Sequence, residues 1–284
     1  MDNGKFVEDG VGFSGVEKSP FGDLFSVRIK HDAVDKFDVY GNIFVEDEDG
    51  TFCIFNRQFD DASLITGSLP LAFNRSLRAR SIFTLTFDLK DRDGNTIEGK
   101  VVAKFTTGKN GNFKKLGVDR IFGSMGCATI YYTFNQAAGF YAIKDAILMK
   151  HSANSEDDSW VRGTIVFQYG RPFDSRTRSL ATQDLEDDCL DIVLFNATNP
   201  VPLILDHTGS CYNIPLLRSH LVVPYGYSSI MKFDLVYSDK GKVELIRFNK
   251  DIPKYPLGFE MIVSDKEGDD MLVKLMLKLL IRRS

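Results

Sequence analysis

Few residue types able to do chemistry stand close together in this sequence. The four histidines, His31, His151, His207 and His220, form no i, i+4 pair and no HExxH. A zinc site needs three or four nitrogen or sulfur ligands converging on one point. Cys211 with His207 is the nearest approach, and one such pair does not hold a metal. A nucleophilic serine at a strand-to-helix elbow would show Gly-x-Ser-x-Gly, but "GFSGV" at 12–16 has its glycines at Gly12 and Gly15, wrongly spaced. "GKNGNFKK" at 108–115 lacks the closing Gly-Lys-Ser/Thr of a phosphate-cradling loop and reads as a hairpin loop. The acidic turns before Gly50 and Gly94 put Val45 and Leu89 where a calcium-binding loop needs its first acid. No metal and no cofactor are expected, and no catalytic set is assigned.

What remains is "LLRSHLVVP" at 216–224, where Arg218, Ser219 and His220 interrupt an apolar strand. Polar groups in such a run need partners when buried, so these three are candidates for a buried polar network or a ligand contact. Trp160, the single tryptophan, sits in a strand-like setting and is a fourth candidate for binding. Asp88 and Asp234 look like paired carboxylates on paper. Each lies on the strand face opposite the apolar residues, beside Thr86 or Lys232, so exposure is the expected state.

The elements that must position these residues are strands. Residues 82–89 alternate, with Phe83, Leu85, Phe87 and Leu89 on one face and Thr84, Thr86 and Asp88 on the other. That period of two marks a half-buried antiparallel strand. Met231, Phe233, Leu235 and Tyr237 repeat the pattern opposite Lys232 and Asp234. "EDEDG" at 46–50 and "DRDG" at 91–94 are hairpin turns between apolar runs. "NQAAGFYAIKDAILM" at 135–149 also alternates, and Gly139 would weaken a helix by about 1 kcal/mol, so it reads as a strand.

Landmarks then recur in the same order. "YGNI" at 40–43 answers "RGTI" at 162–165, offset 122; "IFN" at 54–56 answers "LFN" at 194–196, offset 140. "LPL" at 69–71 answers "IPL" at 214–216, offset 145, and "FDL" at 87–89 answers "FDL" at 233–235, offset 146. "VVAKF" at 101–105 answers "ELIRF" at 244–248, offset 143. Any one match is weak; the order points to two related β-lobes. The expected organisation is a polar segment at 1–23, a first lobe at 24–150, a linker "HSANSEDDS" at 151–159 and a second lobe at 160–284. The fold class is all-β with little helix, two related antiparallel lobes forming a sandwich or a closed barrel-like structure, because apolar sheet faces bury each other. "MLVKLMLKLLIRR" at 271–283 stays open. As a strand it pairs with "FEMIV" at 259–263; as a helix it carries Lys274, Lys278 and Arg282 in one basic stripe suited to a membrane surface.

The 284 residues hold 43% hydrophobic and 26% charged residues, an ordinary globular composition. The net charge of −4 argues against a nucleic-acid partner, which selects an acid-poor, basic surface. The polar, acidic start "MDNGKFVEDG" is unlike a secretory signal. The cytosol or nucleus is expected, without a membrane span. Cys53, Cys127, Cys189 and Cys211 form no CxxC pair and read as free, buried thiols.

The runs "VYGNIFVEDEDGTFCIFNRQFDDASLITG" at 39–67 and "NIPLLRSHLVVPYGYSSIMKFDLVYSD" at 213–239, with "GTIVFQY" at 163–169 and "DIVLFN" at 191–196 between them, carry a resemblance. Through Asn56–Arg57 and the "IPLLRS" block, the chain resembles over roughly 24–284 a domain of unknown function abundant in grasses. Members look like stand-alone cytosolic β-proteins, and some follow a ribosome-inactivating N-glycosidase domain. The resemblance implies no active-site motif. Depurination does not carry over, since Trp160 has no Glu-Ala-Ala-Arg-type helix beside it. In the first lobe "LPLAFNRSLRARS" at 69–81 departs from the pattern. Three readings follow: a protein-interaction module, stress- or defence-linked by resemblance; a small-ligand or glycan pocket, catalytic if it holds reacting groups; and a regulator of an N-glycosidase.

Overall fold

The computed structural model describes residues 21–65, 67–73, 75, 77, 79, 81–104, 117–135, 138–149, 159–168, 191–206, 209–224, 229–239, 242–252, 260–264 and 273–279. Residues 1–20, 108–115 and 151–158, and with them Cys189, His151 and His207, lie outside the described residues.

The alternating segments all form strands. In chain order these are β1 (Phe21–His31), β2 (Phe37–Asp47), β3 (Gly50–Arg57), β4 (Ser63–Ile65), β5 (Ile82–Asp91), β6 (Thr96–Lys104), β7 (Gly117–Gly123), β8 (Gly126–Asn135) and β9 (Ala138–Met149). Then follow β10 (Trp160–Gln168), β11 (Asp191–Pro202), β12 (Ile204–Leu205), β13 (Cys211–Asn213), β14 (His220–Pro224), β15 (Ser229–Asp239), β16 (Lys242–Ile252), β17 (Glu260–Ser264) and β18 (Val273–Leu279). A single 3-10 turn, Phe59–Asp61, is the one helical element among the described residues.

The strands make four antiparallel sheets, ordered β1-β8-β7, β3-β2-β5-β6 with β4 on β2, β11-β10-β15-β16, and β12-β13-β9-β18-β17 with β14 on β9. The first two share one core, in which Val27 and Ile130 meet Ile43, Leu85 and Phe87. The other two share a second core around Tyr141, Ile165, Phe233 and Leu275. Each fully buried large apolar side chain contributes roughly 2–3 kcal/mol. No described sheet closes on itself, so the layers are sandwich-like and the closed-barrel alternative is not met. Strand β9 falls within the range expected for the first lobe, yet its partners are β13, β14 and β18.

The duplication is visible in register. Gly41 (φ +112°) and Gly163 (φ +116°) are equivalent at offset 122, and a Cβ on either would stand 2.1 Å from a carbonyl oxygen, of Asp88 or of Asp234. The ladder slips between Ile43 and Phe44 on β2 and between Ile165 and Val166 on β10, again 122 apart. One landmark shifts: Asp88 faces Glu98 and Asp234 faces Arg247, so the return strands align at offset 149 (98 to 247), not 143. The second hairpin is longer, and repeated apolar residues had matched out of register.

At the turn 46–50 the two loop residues are Glu48 and Asp49, and Asp47 Oδ1 accepts the Asp49 N–H at 2.9 Å. At the next turn Asp91 Oδ1 accepts the N–H groups of Asp93 and Asn95, at 2.9 and 2.8 Å. The helical alternative for 271–283 is overturned over Val273–Leu279, which is a strand paired to both β17 and β9. Val273 and Leu275 bury against the second core, and over these described residues no helical stripe forms. Among the described residues no helix is long and apolar enough to cross a membrane.

Candidate functional site

Two places collect the candidate residues. The first is the seam where the crossing segments of the two lobes meet. Pro70 and Pro215 interrupt the ladders, and the chain after each crosses between its lobe's sheets. Ala72 donates its N–H to Ile54 O at 2.8 Å, as Leu217 does to Leu194 O at 2.7 Å. The segments then pair with each other in parallel at Phe73 and Arg218, with Phe73 N–H to Leu217 O at 2.6 Å.

Arg218 is 5% exposed. Its Nη2 donates to Leu24 O at 2.7 Å and Phe25 O at 3.3 Å. Its Nη1 lies 3.6 Å from the buried Asp23 carboxylate, and its guanidinium stacks 4.0 Å from the Phe73 ring centroid. These carbonyls are available because β1 bulges there: Leu24 pairs with Tyr132 and Ser26 with Tyr131, leaving Phe25 as the extra residue. The Phe25 side chain enters the second core while Leu24 stays in the first. Arg218 therefore joins the lobes through charge-assisted bonds.

Ser219 Oγ and His220 Nδ1 lie 2.7 Å apart. Burial, then the positive charge of Lys144, pushes the His220 imidazole below its ordinary value. A triad acid would do the opposite, stabilising the imidazolium. Opposite, Arg75 is held protonated more firmly than usual by Asp47, through paired bonds of 2.8 Å, and stacks 4.0 Å over Phe52. Between Asp23, Phe73, Arg75, Arg218 and His220 a cleft of about 20 Å³ remains. That is room for a water molecule, far less than the few hundred Å³ of a small-molecule site.

The second place is the outer face of β11-β10-β15-β16. Trp160 is not brought to the seam. It projects from the face of β10 opposite Val161 and Ile165, which are buried in the second core. Register sets Arg162, Val236 and Leu245 in one cross-strand row and Trp160, Ser238 and Val243 in the next. Val243 and Leu245 are each 60% exposed, and the Arg162 guanidinium lies 5.7 Å from the Trp160 ring. Arg247 pairs with Asp234 at 3.0 Å at the rim. Asp234 and Asp88 are solvent-exposed, as their strand faces required.

Sequence reasoning singled out Arg218, Ser219, His220 and Trp160, but not Asp23, Phe25, Phe73 or Arg75, nor the neighbours of Trp160 on the outer face, Arg162, Val236, Val243 and Leu245. A signal existed: extending the 145 offset two residues past "LPL" sets Phe73 against Arg218, then Arg75 against His220. Cys53, Cys127 and Cys211 are free thiols, and burial followed by the negative charge of Asp206 raises the Cys211 thiol.

No curated protein and no solved structure matches the chain. A family model does match, over residues 23–257, which include both lobes' principal sheets and the seam between them. The chain belongs to the family described as a domain of unknown function, DUF6598.

Proposed function

We propose that this protein is a non-catalytic protein-interaction module, and that its partner-binding surface is the outer face of β11-β10-β15-β16. One observation carries the reading: the two lobes fill the same sheet positions with opposite chemistry. By register, Trp160 corresponds to Asp38 (offset 122), Val236 to Lys90 (offset 146) and Leu245 to Thr96 (offset 149). The first lobe folds with polar residues there, so the fold does not require the apolar ones. An exposed apolar patch holding Trp and Arg, with a charged rim, has the composition of an interaction surface. The small-ligand or glycan alternative gains nothing from the seam, whose cleft holds about 20 Å³. A plant cytosolic setting, and a link to N-glycosidases, rest on the resemblance alone.

The test grafts the first lobe's solution onto the second. A Trp160→Asp, Val236→Lys, Leu245→Thr variant places the first lobe's Asp38, Lys90 and Thr96 at these positions, leaves the buried Ser238 in place, and is expected to keep its fold by circular dichroism. Pull-downs of the two full chains from grass leaf lysate are compared by mass spectrometry. Partners held by the parent and lost by the variant support the reading, and an N-glycosidase among them would establish that link. Identical partner sets from the two chains would overturn it.

A further inference from the structure

We infer that the partner presents an acidic amphipathic protein segment, whose apolar stripe covers Trp160, Val236 and Leu245 and whose carboxylate meets Arg162. This rests on the interaction reading above and names the chemistry that the face selects.

The first lobe shows how this sheet corner is completed internally. There Arg92 Nε donates to Asp38 Oδ2 at 2.6 Å, and its guanidinium lies 5.2 Å from the Phe59 ring centroid. Arginine, ring and carboxylate form one set. In the second lobe the acid's position is taken by Trp160 and the arginine's by Ser238, which is buried at 3% exposure. The cation reappears one row along as Arg162, over the Trp160 ring. Cation and ring are thus both present, but among the described residues no carboxylate pairs with Arg162. Asp234, the exposed acid in the adjoining row, is engaged by Arg247 through two bonds of 3.0 Å.

A guanidinium already stacked on an indole loses little freedom on binding, and its fork matches a carboxylate in two places. The adjoining Val236, Val243 and Leu245 supply the apolar area that makes such a contact more than a surface ion pair. A second copy of this chain is a poorer occupant. Symmetric pairing centred on Trp160 would set a second Arg162 against the first, while Asp251, the exposed acid left on this face, lies three rows away.

The experiment pans a random-peptide display library on the full chain, then measures the enriched peptides by calorimetry against Arg162→Glu, Arg162→Lys and Trp160→Ala. Arg162 is exposed, so its substitutions are expected to leave the melting temperature unchanged. The expected peptides combine spaced apolar residues with Asp or Glu. They lose at least about tenfold in affinity to Arg162→Glu, lose less to Arg162→Lys, which keeps the charge but not the fork, and fail on Trp160→Ala. Peptides that need Trp160 but lack acids, or ignore Arg162→Glu, overturn this inference and leave the interaction reading standing. Should no enriched peptide depend on Trp160, the interaction reading itself falls. Sedimentation of the full chain as a dimer that Leu245→Thr dissociates would assign the face to a second copy instead.

Discussion

Phe73 and Arg218 occupy the same position in two copies of one structural unit, 145 residues apart, and they stack on each other across the seam with the guanidinium 4.0 Å from the ring centroid. Identical residues at these positions would serve less well. Two arginines would bury like charges side by side, and two phenylalanines would deprive Leu24 O and Phe25 O of the N–H groups that Arg218 now donates. The divergence of the copies at this point is what fits them together.

Arg218→Met is expected to destabilise the protein by about 2–4 kcal/mol, because it strips partners from buried carbonyls and from the Asp23 carboxylate. Arg218→Lys keeps the charge but not the fork, and falls between. Adding Asp23→Asn to Arg218→Met removes the charge that Arg218 faced, so the double variant costs less than the sum of the single ones. Urea-unfolding midpoints of the parent and the four variants measure this; strict additivity of Arg218→Met and Asp23→Asn would mean that the two groups do not interact.

How much of this was legible follows from which forces act locally. Alternation around Phe83–Leu89 and Met231–Tyr237 reflects one buried face per strand, so strands and the two-lobed fold could be read directly. Arg218 was visible because a charge within an apolar run must be accounted for. Its partners were not: Leu24, Phe25 and Asp23 lie almost two hundred positions away, and they receive Arg218 only because β1 bulges at Phe25. A bulge adds one residue without changing composition, and nothing in "FGDLFSVRIK" announces it. The outer face was hidden differently. Trp160, Val236 and Leu245 are ordinary strand residues, and they stand out only once register aligns them with Asp38, Lys90 and Thr96.

Acid should loosen the seam. Burial and Lys144 lower the folded-state value of His220 below its unfolded value near 6.5. Between those two values the unfolded chain binds more protons, so stability rises with pH across that window and is lost as pH falls through it. Asp91 acts at lower pH. Burial opposes its charge, but bonds from Asn95, His31 and Asp93 prevail and hold it below the usual carboxylate value; its contribution is lost only under stronger acid. Melting temperatures from pH 7.5 to 5 should therefore decline for the parent and decline less for His220→Gln. Parallel curves would assign the acid sensitivity elsewhere.

Gly163→Ala and Gly50→Ala separate backbone preference from steric approach. Both glycines have positive φ, +116° and +110°, where an L side chain costs about 1 kcal/mol or more. A Cβ at Gly50 meets nothing within 4 Å, whereas at Gly163 it stands 2.1 Å from Asp234 O, a backbone atom that cannot move without breaking the β10–β15 ladder. Gly50→Ala should lower stability by about 1 kcal/mol and stay soluble, and Gly163→Ala should lose more than about 3 kcal/mol or fail to fold. Equal losses for the two would show that the β10–β15 contact is looser than 2.1 Å implies.

Leu24 and Phe25 are neighbours in sequence but belong to different cores, and this makes them a paired probe of how the lobes depend on each other. Phe25 is 2% exposed and Leu24 is fully buried, so truncation to alanine costs about 3–5 kcal/mol at the first and about 2–5 kcal/mol at the second. The cost should fall in different places. With Leu24→Ala, amide exchange should accelerate in β2 and β5, whose side chains share its core. With Phe25→Ala it should accelerate in β10 and β15, in the other half of the chain, because the cavity opens in the second core, to which their side chains belong. Hydrogen-exchange mass spectrometry at matched fractions of stability loss resolves the two patterns. If Phe25→Ala deprotects only first-lobe strands, the bulge does not carry the contact between the lobes, and Arg218 would be left as their principal tie.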